Sequence, residues 1–307
     1  MRFAISMLCT GMLACASASS VQAQQLQTPD IQTTIDDTFR WPWAITVDDA
    51  GNIYGTDRYY NTVRVFTPSG GTYTSANIIT SNHMLSSPRA IAIGSNGHLF
   101  VGESSGVTEF EPQSANIYNA VAHIGQDVFN DPYGIAIAVS GDVLVADSGN
   151  TKVRRFSPLT EGGYVEQDIV ASNNYFYDVA VDPEGNVFVA NTYPHLIQEY
   201  RWNGTGYPAT PDVALDTGSG DVYSVALDRY GNLYAADHNG GRIVKFTADG
   251  QGGYSSAQLL ANVGPGTSFR PSYLTVDRML NVYVILTDAY SGVLIKIGDR
   301  VFADGME

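Results

Sequence analysis

Five oxygen-bearing side chains recur at near-constant intervals in this 307-residue chain: Asp57, Glu103, Asp147, Asn191 and Asp237, spaced 46, 44, 44 and 46 residues apart. Leu286 stands 49 residues further on, where a sixth would fall. Brought to one place, such oxygens suit a hard divalent cation, which takes carboxylate and amide ligands. The competing reading is structural, because an Asp at a strand end accepts backbone N–H bonds from the following loop. A second series runs in step with the first: Trp43, Arg89, Tyr133, Tyr177, Tyr223 and Ser272. Four of these six are aromatic, and flat faces suit a sugar or peptide with one apolar side, or a cation over the rings. Arg58 and Tyr59, directly after Asp57, add a cation and a further aromatic contact.

Zinc chemistry calls for three converging ligands, commonly imidazoles. Of the five histidines, His195 and His238 follow equivalent strands of neighbouring units and can face one another. His98 falls on a turn of the opposite face, His123 on an outer strand, and His83 in a loop leading into a unit. His195 and His238 with the oxygen series therefore make the alternative metal set, for calcium, magnesium or zinc. No Gly-x-Ser-x-Gly elbow, P-loop or His-Glu-x-x-His motif is present.

These residues need a scaffold that repeats with them. A short unit recurs: an apolar strand, a turn with Gly51, Gly97, Gly141, Gly185 or Gly231, then a second apolar strand. The sixth copy has Leu280-Asn281 at the turn. Third strands alternate charged and apolar residues and end in an aromatic, as in Val63-Arg64-Val65-Phe66 and Ile243-Val244-Lys245-Phe246. Fourth strands are weaker, for example Ala76-Asn77-Ile78-Ile79. Runs with little charge suit the inside of a sheet stack, and alternation suits a strand with one wet face. Four-stranded units of about 40–50 residues predict an all-β, six-bladed β-propeller of antiparallel blades. The N-terminal Asp30–Ile35 is expected to supply the outer strand of blade six, closing the ring and removing an exposed edge. Alternating strand direction then puts both series on one face, at the mouth of the central channel.

The units resemble NHL repeats. Unit three carries Pro132-Tyr133-Gly134-Ile135-Ala136-Ile137, then Gly141 through Val145-Ala146-Asp147-Ser148-Gly149-Asn150. Unit five carries Val225-Ala226-Leu227-Asp228 and Ala235-Ala236-Asp237-His238-Asn239-Gly240, and unit six departs most after its inner strand. The resemblance spans about residues 30–298 and implies the propeller fold and, often, an interaction platform. Similar propellers include peptide-amidating lyases, streptogramin lyases and lactonases, each with a metal near the channel. The three-His zinc set of the amidating lyases finds no counterpart here.

Composition narrows the partners. Lys and Arg total 16 against 31 Asp and Glu, a formal charge of −15, which disfavours nucleic acid and anionic lipid surfaces. Residues 1–23 read as a signal peptide: Arg2, the apolar run Phe3–Ala14, then a small-x-small site at Val21-Gln22-Ala23. That predicts an exported chain, periplasmic or secreted, with a single domain over 24–307 and no spanning segment. Cys9 and Cys15 both lie in the leader, so the mature domain would hold no thiol; lipid anchoring at Cys15 is the minor alternative. The expected function is a binding module for a small polar ligand, glycan, peptide or protein at the channel mouth. The alternative is a metal-dependent lyase or hydrolase with its site at the same place.

Overall fold

The computed structural model describes residues 31–298, apart from 81, 172–174, 219 and 264–267. Cys9 and Cys15, in the segment expected to be a signal peptide, lie outside the described residues. The described residues form six sheets arranged as blades, each of four antiparallel strands with one short parallel strand added in blade two, and one short 3-10 turn (Ser148–Asn150). Blade three is representative: Pro132–Ile137, Val143–Asp147, Lys152–Pro158 and Tyr164–Ala171, in that spatial order from the channel outward. All five residues of each second strand in blades one to five are buried, as in Ile53–Asp57 and Val187–Asn191. This is why those strands carry so little charge: each is covered on both faces by its neighbouring blades.

The ring closes as the sequence predicts. Ile31–Arg40 pairs antiparallel with Ser291–Ile297, with Thr34 opposite Ile295 and Phe39 opposite Gly292. Phe39 is fully buried and packs on Phe66 of blade one, 5.4 Å between ring centroids. The closing strand is longer than the predicted Asp30–Ile35. Blade one also differs from expectation: its outer strand is Thr72–Asn77, and Ile79–Thr80 instead adds a short parallel strand to the rim of blade two. The weak apolar signal at Ala76–Ile79 straddles two sheets, which is why no periodicity separates them.

The turn between first and second strands repeats in chemical detail. Asp48 Oδ1 accepts the Asn52 N–H at 2.8 Å and its Oδ2 accepts the Asn52 amide at 2.7 Å. Asp182–Asn186, Asp228–Asn232 and Asp277–Asn281 repeat both bonds. The residue before each Asn is left-handed, with φ of +82° at Gly51. Leu280 takes the same conformation, φ +65°, in blade six, where a β-carbon is disfavoured.

Candidate functional site

Strand register sets both residue series at one end of the ring. Pro42 lies opposite Asp57, Pro132 opposite Asp147, Phe176 opposite Asn191 and Val222 opposite Asp237. The ladder then skips between Pro42 and Ile45, Pro132 and Gly134, Phe176 and Asp178, Val222 and Ser224, and Pro271 and Tyr273. Trp43, Tyr133, Tyr177, Tyr223 and Ser272 all fall in these skips. Each is a β-bulge residue, and a bulge leaves its residue unpaired and re-aims the side chain. Sequence periodicity placed these residues at the strand start without revealing the bulge.

The consequence is a continuous column of rings. Trp43 stacks on Tyr133 (5.1 Å, 20°), Tyr133 on Tyr177 (4.9 Å, 26°) and Tyr177 on Tyr223 (4.5 Å, 26°). Tyr223 stacks on His238 at 4.0 Å and 6°. Each aromatic pair contributes roughly 0.5–1.5 kcal/mol beyond its buried area. Two cations lie on this column: the Arg89 guanidinium is 5.4 Å from the Tyr133 centroid and that of Arg58 is 5.7 Å from Trp43. Arg89 also pairs with Asp131. Burial raises the Tyr177 and Tyr223 hydroxyls above the usual phenol range, so both stay neutral.

The oxygen series behaves differently. Asp57, Asp147, Asn191 and Asp237 are fully buried and Glu103 nearly so. Asp57 accepts the backbone N–H groups of Arg40 and Tyr60, both at 3.2 Å. Asp147 accepts from Asn130 N–H (2.8 Å), Asn150 Nδ2 (2.8 Å) and Arg154 Nε (2.6 Å). Asp237 accepts from Gly240 N–H and Arg242 Nε, both at 2.8 Å. Asn191 accepts the Tyr193 N–H at 3.1 Å and donates to Gln198 at 3.0 Å. These groups fasten the adjoining loops to their blades, and Asp57 also holds Arg40 at the end of the closing strand. Leu286 is buried at the sixth position and fastens nothing.

The histidines divide. His238 Nδ1 lies 2.9 Å from the Pro271 carbonyl, and burial lowers its pKa, so it sits neutral in the column. His195 Nδ1 is 2.8 Å from Asp221 Oδ1, and Asp221 Oδ2 accepts from Asn239 at 2.7 Å. His83 and His123, which their sequence positions set apart, meet around Glu103: His83 Nε2 is 2.8 Å from Glu103 Oε1, and Thr108 bridges Glu103 and His123. Among the described residues, no group of three or more His, Cys, Asp or Glu side chains is placed to hold a metal ion. Calcium, magnesium or zinc would have to compete for the oxygen series with the backbone N–H groups it already accepts and, at Asp147 and Asp237, with an arginine.

A cavity of about 350 Å³ opens at the mouth beside the column, lined by Trp43, Arg58, Tyr177 and Tyr223, with Trp41, Tyr273 and Asp288. Four of the seven sequence-predicted ligand residues thus share one pocket. Tyr133 lies between Trp43 and Tyr177 in the stack, with Arg89 over its ring, and neither lines the pocket. Tyr59 is exposed at the rim, edge-on to Trp41 at 6.3 Å. Trp41, Tyr60, Tyr175, Tyr193 and Tyr290 are likewise exposed, in the loops of the same face. Below the pocket, Tyr273 donates to Asp178 Oδ1 at 2.7 Å inside the channel. Asp178 is fully buried and also accepts from Ser224 Oγ (2.7 Å), Val225 N–H (3.0 Å) and Val179 N–H (2.9 Å). Sequence reading missed this group because Asp178 sits inside an apolar strand with no spacing partner.

Known proteins agree with this architecture. The NHL repeat pattern matches residues 129–156, the first three strands of blade three. Teneurin-1 of Caenorhabditis elegans is 22% identical, over 41% of this chain and only 6% of that protein. Among solved structures, a streptogramin B lyase has a TM-score of 0.59 at 13% identity, covering 86% of this chain and 96% of that one. A luciferin-regenerating enzyme has a TM-score of 0.61 at 13% identity, covering 88% and 96%. Virginiamycin B lyase of Staphylococcus aureus has a TM-score of 0.55 at 16% identity, covering 83% and 80%. At these identities the likeness is one of fold.

Proposed function

We propose that this six-bladed propeller, with its NHL repeat, is an exported binding module that takes a small polar ligand with an apolar face into the channel mouth. The observation carrying this reading is the stacked column from Trp43 to His238, three of whose rings, Trp43, Tyr177 and Tyr223, line the mouth cavity. A rigid aromatic wall loses little side-chain entropy when a ligand lies against it. The exposed Trp41, Tyr59, Tyr60 and Tyr290 at the rim extend the same chemistry outward, toward the rest of a glycan or peptide chain or a protein partner. The formal charge of −15 weighs against nucleic acid.

Glycan and peptide arrays probed with the purified protein test the reading. Binding should weaken at least tenfold in Trp43→Ala and in the Tyr133→Ala, Tyr177→Ala double variant, while the ring stays folded by circular dichroism. Array hits of unchanged strength in these variants would remove the mouth as the site. Export rests on the leader-like segment 1–23, and N-terminal sequencing of the mature protein checks it. Among the described residues, no helix is long and apolar enough to cross a membrane.

The lyase or hydrolase reading draws on the fold likeness to streptogramin-type lyases and on the His195–Asp221 pair. It ranks second because the oxygen series is committed to its own loops.

A further inference from the structure

Two opposite charges face the mouth cavity without meeting one another. Arg58 donates its Nε to Ser87 Oγ at 2.6 Å and lies 6.0 Å from the Trp41 centroid and 5.7 Å from that of Trp43. Among the described residues it has no carboxylate partner, whereas Arg64, Arg89, Arg154, Arg201, Arg242 and Arg278 each have one. Among the described residues its terminal nitrogens make no hydrogen bond. Asp288 also lines the cavity. Its Oδ1 accepts from Tyr290 N–H (2.8 Å), Ser291 N–H (2.7 Å) and Ser291 Oγ (3.0 Å), which fixes the carboxylate, and among the described residues its Oδ2 takes no bond. The neighbouring Ala289 carbonyl accepts from Trp41 Nε1 at 3.0 Å. Both charges therefore flank the Trp41 ring, one over its face and one beside the loop that holds it.

An anion alone would meet Asp288, and a cation alone would meet Arg58. A ligand carrying both charges satisfies the two groups at once, and the aromatic wall is left for its apolar part. We propose that the mouth cavity binds a small zwitterion with a flat apolar side group, a free aromatic α-amino acid. Its carboxylate is taken by the Arg58 terminal nitrogens, its ammonium by Asp288 Oδ2, and its ring by Trp43, Tyr177 and Tyr223. Guanidinium and carboxylate form strong charge-assisted bonds, and an ammonium near Trp41 gains cation–π attraction. A cavity of about 350 Å³ is of a size for such a ligand. This inference rests on the binding-module reading and narrows its ligand.

Isothermal titration of the full-length protein with L-tryptophan, tryptamine, indole-3-propionate and indole separates the parts. L-Tryptophan is expected to bind at least tenfold more tightly than each of the others. Arg58→Gln should bring tryptophan down to the level of tryptamine. Asp288→Asn, which keeps the Oδ1 acceptor of the loop, should bring it down to indole-3-propionate. Melting curves of both variants check that the ring is intact. Equal affinity for tryptophan and either single-charge analogue would overturn the proposal, as would variants that keep the tryptophan preference. Binding of none of the four also overturns it; the glycan and peptide arrays then decide the wider reading, since hits lost in Trp43→Ala sink the zwitterion alone and no hits sink both.

Discussion

Asp178 should make the stability of the ring fall as pH rises through neutrality. The carboxyl lies inside the channel, 1% exposed, and burial pushes it from the ordinary 3.8 up to about 7 against four hydrogen bonds that hold it down. The folded chain therefore keeps a proton that the unfolded chain has already released. At about 1.4 kcal/mol per pH unit, the interval from 3.8 to about 7 amounts to about 4 kcal/mol, present at pH 4 and lost by about pH 8. Other carboxylates titrate over the same range, so the comparison must be with Asp178→Asn. The Asn amide nitrogen meets an N–H of Val179 or Val225, leaving one donor unsatisfied at a constant cost of about 1–3 kcal/mol. Only the difference in pH slope then reports the carboxyl. Urea unfolding of both proteins from pH 4 to pH 8 should show the wild-type chain losing about 4 kcal/mol relative to the variant. Parallel profiles, or a wild type that gains on the variant as pH rises, would refute the reasoning and mean that the four donors outweigh burial.

Gly134 has no room for a side chain: a β-carbon would lie 2.6 Å from Asp178 Cα and 3.0 Å from Val179 N. Gly134→Ala should cost about 1–3 kcal/mol in urea unfolding, and a neutral result would mean the blades are not in close contact there. Leu280→Gly should raise stability by about 0.5–1 kcal/mol, because relief of the left-handed strain exceeds the added freedom of glycine in the unfolded chain; a lowered melting temperature would contradict this. Asp147→Ala removes the acceptor of Asn130, Asn150 and Arg154 and should cost about 3–5 kcal/mol with or without added calcium, magnesium or zinc. Stoichiometric metal on elemental analysis, with a melting shift that this variant abolishes, would instead make the oxygen series a metal site.

The blade count, the turn glycines and the closing strand were all readable because each repeats or alternates along the chain. Trp43, Tyr133, Tyr177 and Tyr223 were legible as a series facing the mouth, yet their stacking was not. It depends on bulges, which are ladder irregularities with no period of their own. Trp41 and Asp288 escaped notice because they occur once, in loops of blades one and six that the ring brings together. Asp178, Ser224 and Tyr273 come from three different blades and meet only across the channel. The His83–Glu103–His123 grouping was hidden for a similar reason, since it joins a connecting loop to two strands of blade two.

The strand that seals the ring is among the first parts of the described chain to be made, and its partner is among the last. Thr34 finds Ile295 only when the sixth blade exists. During synthesis the Ile31–Arg40 segment therefore waits without its ladder, and blade six arrives lacking an outer edge. Contacts of such long sequence separation form slowly, and an unpaired edge is an invitation to strands of other chains. Folding of this ring thus ends with a latch, whose two halves stay open to foreign partners until the Ser291–Ile297 strand has emerged.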